Sequence, residues 1–160
     1  MADTHLGPSR PRRRLPDRVY ELLDGVDVVL HAGDVTAPET LHELAGFAPV
    51  HAVLGNNDIE LRLPERTVVD LDGVAVAMVH DSGPSTGRAH RLRSWFPTAD
   101  VVVFGHSHLP WHEVDVGADG HRQLHLNPGS PTERRLAPTC TVALLDLAAG
   151  RVRSAELVDV

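Results

Sequence analysis

Two histidines, His106 and His108, follow an apolar run, Val101 to Phe104, that predicts a buried strand. Imidazoles at positions i and i+2 just past a strand can each face a metal ion. Other residues with metal-binding side chains stand where apolar runs end further upstream. These residues are Asp3, His5, Asp34, Asn56 and His80. The chain therefore has seven candidate metal ligands at one predicted sheet edge.

The ends of neighbouring strands explain why these residues are expected to meet. In open α/β sheets, ligands bind outside the carboxyl ends of the strands, so side chains far apart in sequence converge in space. The set combines Asp, His and Asn donors without a thiolate. Such donors suit Mn, Fe, Co, Ni or Zn rather than a structural cysteine-zinc site. The residues predict a metal centre at this edge.

Five short motifs carry the candidate ligands in a fixed order. They are Asp3-Thr4-His5, Gly33-Asp34, Gly55-Asn56-Asn57-Asp58, His80-Asp81 and Gly105-His106-Ser107-His108. Successive steps from Asp34 to Asn56, His80 and His106 are 22, 24 and 26 residues. This order resembles the calcineurin-like metallophosphoesterases. The later Asn127-Pro128-Gly129-Ser130 is similar to the small bacterial and archaeal phosphodiesterase branch of that superfamily, so the resemblance covers nearly the whole chain.

The resemblance implies a fold and a reaction. The fold is a four-layer α/β/β/α sandwich of two mixed sheets flanked by helices, and the length of 160 residues fits one domain, residues 1–160. The reaction is hydrolysis of a small phosphate ester, a phosphodiester, by a hydroxide that bridges two divalent metal ions, with manganese the first choice. One ion would be held by Asp3, His5, Asp34 and His108, and the second by Asp34, Asn56, His80 and His106. Asp34, Asn56, Asn57, Asp58 and His80 would carry the catalysis.

Asn57 departs from the superfamily pattern. Many members carry His at this position, which protonates the leaving oxygen with help from the following Asp, here Asp58. Asn cannot act as a general acid. We therefore expect aryl or nucleotide-type diesters to be favoured over alkyl monoesters.

Two alternatives remain open. A phosphomonoesterase or nucleotide phosphatase would use the same site. A non-catalytic interaction scaffold is the alternative from another class, since this fold also occurs in a retromer subunit. The metal-type positions of that subunit are degraded, whereas all seven are intact here, which favours the enzyme.

Several neighbours of the ligands have open roles. We expect His31 and Asp58 to orient ligands from behind. Asn127 and Ser130 either line the rim of the site or only form a turn. Asp81 either adds a carboxylate near the second metal or caps the turn after His80.

Composition limits the classes of partner. The net charge of −7 argues against a broad nucleic-acid surface. A local arginine cluster consists of Arg10, Arg12, Arg13 and Arg14. It either steers an anionic substrate, because guanidinium groups recognise phosphate oxygens, or is a solvated loop. No apolar run approaches the roughly 18 residues of a membrane span. We expect a cytoplasmic protein that can form a homo-oligomer.

Hydrophobic periodicity predicts alternating elements and then hairpins. Helices are predicted over 17–23, 37–46 (with Thr36 as its cap) and 87–96, and strands over 27–32, 50–54, 67–71, 74–79, 101–104, 111–116, 123–126, 141–147 and 152–158.

Only two residues precede Asp3, fewer than the roughly five that a strand needs. We therefore expect a short apolar segment upstream of Met1, a loosely held Asp3 and His5, and a weakened first metal site.

Overall fold

The computed structural model describes residues 1–7 and 14–160. The helices in these ranges are α1 (Asp17–Leu23), α2 (Pro38–Ala45) and α3 (Arg88–Trp95). The strands are β1 (Val29–His31), β2 (Val50–Ala52), β3 (Arg66–Leu71), β4 (Val74–Val79), β5 (Val101–Val103), β6 (Trp111–Val116), β7 (Arg122–Asn127), β8 (Thr141–Ala148) and β9 (Arg151–Asp159). Each lies where the sequence predicts it. None of the helices in the described ranges could cross a membrane.

Hydrogen bonding divides the described strands into three sheets. Five strands form one sheet in the order β3-β4-β5-β7-β6, with parallel pairs at its centre and antiparallel pairs at both edges. The strands β1 and β2 form a parallel pair, and β8 and β9 form an antiparallel hairpin. The predicted mixed α/β class is confirmed. The second of the two predicted sheets is divided in two, so only the five-stranded sheet is mixed.

The central strands β4 and β5 bury both of their faces. Ala77 and Val102 point to one face and contact Leu92 of α3. Their neighbours Met78 and Val103 point to the other face, as the period of two requires, and pack towards β1 and the β8–β9 hairpin. Helices α1 and α2 cover the far side of β1. The layers therefore run from α3 through the five-stranded sheet and the two small sheets to α1 and α2.

The start of α2 differs from the prediction. Its N-cap residue is Ala37, and no side chain makes a capping hydrogen bond there. Thr36 instead has a left-handed φ of 71°, and its hydroxyl donates a hydrogen bond to the carbonyl of Leu6 at 2.5 Å. The expected cap is therefore wrong, because the Thr36 hydroxyl ties the segment after Asp34 to the first residues of the chain.

The first three residues are held by β1. The Met1 ammonium donates to the Leu30 carbonyl at 2.7 Å, and the Asp3 N–H donates to the Gly33 carbonyl at 2.9 Å. Burial lowers the pKa of the Met1 ammonium to about 5, against the opposing charge of Asp3. The expectation of a loosely held Asp3 is therefore wrong.

An apolar cavity of about 720 Å³ lies beside these residues. Leu30 of β1, Val103 of β5 and Leu144 of β8 contribute to its lining. The cavity therefore lies between residues of β1, β5 and β8.

Candidate metal centre

The loops after four strands bring the predicted ligands to one edge of the molecule. Asp34 follows β1, Asn56 follows β2, His80 follows β4, and His106 and His108 follow β5. The segment with Asp3 and His5 reaches the same edge, because the His5 N–H donates to the Asp34 carbonyl at 3.0 Å and the His106 N–H donates to an Asp3 carboxylate oxygen at 2.9 Å. The structure therefore brings all seven residues together.

Three of these residues form a buried group, here called the inner cluster: Asp3, His5 and His108. The Nε2 atoms of His5 and His108 are 3.2 Å apart, and Nε2 of His108 lies 3.3 Å from Oδ1 of Asp3. Asp3 and His108 are fully buried, and His5 is partly buried. Their three ligand-type atoms lie within 4.8 Å of one another, so they could hold one metal ion.

Three others form the outer cluster: Asn56, His80 and His106. The Asn56 Oδ1 atom lies 3.1 Å from His80 Nε2 and 2.9 Å from His106 Nδ1. Asn56 and His106 are exposed, whereas His80 is buried. The outer cluster therefore opens to solvent.

Asp34 lies between the two clusters. Its Oδ2 atom is 3.5 Å from His5 Nε2 and 3.4 Å from His80 Nε2. Asn57 fixes this carboxylate, since its backbone N–H donates to Oδ1 at 2.8 Å and its side-chain amide donates to Oδ2 at 2.7 Å. One carboxylate oxygen therefore contacts a histidine of each cluster.

The Asp3 carboxylate shows that the site suits a cation. Its Oδ1 atom is buried and has no hydrogen-bond partner among the described residues. The Nε2 atoms of His108, His5 and His80 lie 3.3, 3.9 and 4.0 Å from it. A buried ionised oxygen is costly unless a positive charge compensates it. The donor set of carboxylate oxygen and imidazole nitrogen fits a divalent transition-metal ion.

The charges at the site favour the metal-binding forms of Asp34 and His5, whereas at His80 they favour the protonated imidazole. Burial raises the pKa of Asp34, but hydrogen bonds from His80 and Asn57 outweigh burial and hold that pKa well below its usual range. Burial lowers the pKa of His80, but its hydrogen bond to Asp34 and the charge of that carboxylate raise it overall. For His5, burial lowers the pKa by more than the charges of Asp34 and Asp3 raise it, so the pKa is lowered overall. Asp34 is therefore anionic and His5 neutral, the forms that bind metals.

The backbone at the site is strained. Left-handed φ angles are found at five of the seven predicted ligands: Asp3 (55°), His5 (47°), Asp34 (57°), His106 (70°) and His108 (59°). Such angles are uncommon outside glycine and cost about 1 to 3 kcal/mol each. Strained residues persist where the surrounding structure holds them, and they cluster at functional sites.

Comparison with known proteins decides the family. The sequence profile of the calcineurin-like phosphoesterase superfamily domain matches residues 1–150. The chain belongs to this superfamily. A probable metallophosphoesterase of Methanothermobacter thermautotrophicus is 33% identical over 164 residues, which cover 99% of this chain and 89% of that protein. Membership of the superfamily supports phosphoester hydrolysis with bound divalent metal.

Solved structures share the fold. A predicted phosphoesterase of Streptococcus pneumoniae has a TM-score of 0.67 and 23% identity, covering 99% of this chain and 86% of that chain. Wild-type Vps29 of Entamoeba histolytica, solved with Zn²⁺, has a TM-score of 0.70 and 22% identity, covering 99% and 96%. At these identities the likeness shows the fold alone.

Buried polar residues position the ligands of this phosphoesterase. The Asn127 side-chain amide donates to the Gly105 carbonyl and to the Ser107 hydroxyl, both at 3.0 Å. The Ser130 hydroxyl donates to the Asp3 carbonyl at 2.7 Å. Both Asn127 and Ser130 are about 1% exposed. They therefore anchor the ligand-bearing segments from below rather than line the rim.

Asp58 holds the backbone that carries Asp34, whereas His31 contacts Thr4, which lies between two predicted ligands. One Asp58 oxygen accepts the N–H groups of Asp34 and Gly55 at 2.9 and 2.7 Å, and the other accepts the Thr36 N–H at 2.7 Å. His31 is fully buried, and its Nε2 atom is 3.2 Å from the Thr4 hydroxyl. Burial lowers the pKa of His31 well below its usual value, so His31 is neutral.

The motif glycines let the loops approach closely. A Cβ atom at Gly55 would lie 2.1 Å from Asp34 Oδ1, and one at Gly105 would lie 2.7 Å from Asp3 Oδ2. Any side chain at these positions would displace a carboxylate of the metal centre. This is the physical reason for glycine at both positions in this member of the superfamily.

The remaining candidates have other roles or lie elsewhere. Asp81 is exposed and accepts the Gly83 N–H at 2.7 Å, so it caps the turn. Arg14 pairs with Asp17 on the surface at 2.7 Å. The other predicted arginines, Arg10, Arg12 and Arg13, lie outside the described residues.

Sequence reasoning missed two residues near the centre. The Thr132 hydroxyl donates to the Thr4 carbonyl at 2.6 Å, and the Arg135 guanidinium donates to the His106 carbonyl at 3.0 Å. Nothing in the sequence around Thr132 indicates its contact. Arg135 lies five residues after the Asn-Pro-Gly-Ser motif, and a positive charge so close to this motif could have indicated a place near the centre.

Proposed function

We propose that this protein is a phosphodiesterase that uses two divalent metal ions, manganese in the first instance, to hydrolyse small phosphate esters in the cytoplasm. The observation that carries the proposal is the Asp34 carboxylate, one oxygen of which lies within 3.5 Å of a histidine nitrogen in each cluster. An anionic residue with two oxygens is suited to bridge two cations.

The ligands divide between the two ions as follows. Asp3, His5 and His108 would hold one ion, and Asn56, His80 and His106 would hold the other, with Asp34 shared. When bound, such ions supply an activated water and stabilise the charge on phosphoryl oxygens. The protein's own part is to fix the Asp34 carboxylate through Asn57, to hold the Asp34 backbone through Asp58 and to keep His5 neutral.

Asn57 favours a substrate with a good leaving group. Its side-chain amide is directed at Asp34, 2.7 Å from Oδ2, and an amide does not transfer a proton to a leaving oxygen. Substrates with good leaving groups need no such transfer. Aryl diesters meet this condition.

An interaction scaffold is less well supported. A scaffold has no need of a buried Asp3 oxygen that lacks a hydrogen bond among the described residues, or of left-handed backbone at five ligand positions. Both features cost stability without improving a docking surface.

The test is hydrolysis by protein stripped of metal and then supplied with single metals. Bis(4-nitrophenyl) phosphate serves as the diester and 4-nitrophenyl phosphate as the monoester, which carry the same leaving group. We expect turnover only with added metal and a higher kcat/KM for the diester. Full activity in excess chelator would overturn the metal requirement, and a higher kcat/KM for the monoester would favour the phosphomonoesterase.

A further inference from the structure

Arg135 lies beside the outer cluster. Its Nη1 atom donates a hydrogen bond to the carbonyl of His106, a residue of that cluster, at 3.0 Å. The guanidinium is therefore held at the side of the centre that opens to solvent.

The guanidinium has donors to spare. A guanidinium carries five N–H donors, and the His106 carbonyl takes one of them in the part of the chain that the structure describes. No carboxylate of the described residues lies within ion-pair distance of Arg135, and its side chain is exposed. A solvent-facing cation with no anionic partner in residues 1–7 and 14–160 thus stands at the edge of the metal centre.

The loop that carries Arg135 is fixed to the centre. The Ser130 hydroxyl accepts the Thr132 and Glu133 N–H groups at 3.3 and 2.9 Å and itself donates to the Asp3 carbonyl. Arg135 has a left-handed φ of 47°. A strained angle on an exposed non-glycine residue costs stability, and such strain concentrates where position matters for function.

We propose that Arg135 binds the phosphoryl oxygens of the substrate at this centre, an inference that rests on the proposed phosphodiesterase function. A planar guanidinium presents parallel donors that match two phosphate oxygens. The hydrogen bond to His106 sets the distance of the guanidinium from the outer cluster, where solvent reaches the site. Arg135 acts as the residue that binds and orients the anion.

Arg134 is the matched control. It is the preceding residue, it is also exposed, and its guanidinium donates to the Ala137 carbonyl at 3.1 Å, within its own loop. Arg134→Gln and Arg135→Gln remove the same charge from adjacent positions. Arg135→Lys keeps the charge and removes the planar fork.

The experiment measures the Kd of inorganic phosphate for the manganese-supplemented protein by calorimetry, alongside KM and kcat for bis(4-nitrophenyl) phosphate. We expect Arg135→Gln to weaken phosphate binding and raise KM by about 10- to 100-fold, the range for a hydrogen bond to a charged group. Arg135→Lys should lie between wild type and Arg135→Gln, and Arg134→Gln should change either value by less than about 2-fold. Thermal unfolding and metal content show whether each variant is folded and loaded.

The outcomes separate this inference from the proposed function. Equal losses in Arg134→Gln and Arg135→Gln, or a fall in kcat with unchanged phosphate Kd in Arg135→Gln, would overturn the role of Arg135. If phosphate binding depends on Arg135 but the protein hydrolyses no ester, the anion site is supported and the proposed phosphodiesterase function is refuted. If Arg135→Gln leaves hydrolysis intact, the role of Arg135 is refuted and the proposed phosphodiesterase function is not affected.

Discussion

The inner and outer clusters use similar side chains in different surroundings. In the inner cluster Asp3 and His108 are wholly buried, whereas Asn56 and His106 of the outer cluster are exposed. The electrostatics of the clusters also differ, since burial lowers the pKa of His5, whereas Asp34 raises the pKa of His80 against the effect of burial. The inner cluster is therefore built into the fold, and the outer cluster is the side from which a substrate can approach.

This difference separates stability from turnover. Inner residues are held by Ser130, Thr132 and the Asp34 carbonyl, so their loss should disturb packing as well as metal binding. Asn56 and His106 of the outer cluster are exposed, so their loss should affect chemistry more than folding. The following predictions test this division.

The largest effect is expected at Asp34, which serves both clusters. Asp34→Asn keeps the shape but removes the anion that contacts His5 and His80. We expect kcat for the aryl diester to fall by about 1,000-fold, as when a group that stabilises transition-state charge is removed. Asp27→Asn, which removes an exposed carboxylate, is the control. Retention of more than a tenth of the activity in Asp34→Asn would contradict a shared bridging role.

The next effect compares His108→Ala with His106→Ala in metal-free protein. Both residues have left-handed backbone angles, so backbone strain affects the two variants alike. His108 is buried and its Nδ1 atom is 2.5 Å from the Glu133 carbonyl, so we expect a loss of about 2 to 4 kcal/mol in the free energy of unfolding. For exposed His106 we expect a change within about 0.5 kcal/mol. Urea unfolding in chelator measures both, and similar losses would show that burial does not distinguish the clusters.

A third prediction concerns Asn57, next to the exposed cluster. With wild-type protein, the rate on aryl diesters should fall steeply as the pKa of the leaving phenol rises, because no side chain at this position donates a proton. Asn57→His should make that slope shallower, although it also removes the amide donor to Asp34. Rates across a phenol series give the slope. A flat dependence in the wild type, with chemistry shown to be rate-limiting, would argue against this account.

The smallest effect is a difference in protonation between the clusters. In metal-free protein, His80 should titrate above the usual pKa of about 6.5, and His5 should titrate below it. His80 then contributes stability that is present below about pH 6.5 and is lost as pH rises through its folded pKa, whereas His5 reduces stability as pH falls below about 6.5. Imidazole proton shifts followed by NMR report both values. Asp34→Asn should lower the His80 pKa, and the opposite order of titration would contradict the structure.

Local sequence signals were sufficient for most elements. The Asp72-Gly73 pair predicts the hairpin between β3 and β4, because this dipeptide supplies the positive φ angles that a two-residue turn needs, and both residues have them. The strand-end rule likewise predicts that the five ligands after β1, β2, β4 and β5 converge, since it depends only on which residues follow apolar runs. Neither the order of the layers nor the division of the second sheet follows from such signals.

The sequence by itself determined the kinds of ligand, their order along the chain and the family. Only the tertiary structure decided which ligands are buried, that Asp34 contacts both clusters, that Asn127 and Ser130 lie beneath the site, and that Arg135 reaches His106. The physical reason is how far apart in sequence the interacting residues are. Motifs and periodicity report interactions between residues near in sequence, whereas burial and hydrogen bonds such as Ser130 to Asp3, 127 residues apart, exist only once distant loops pack together.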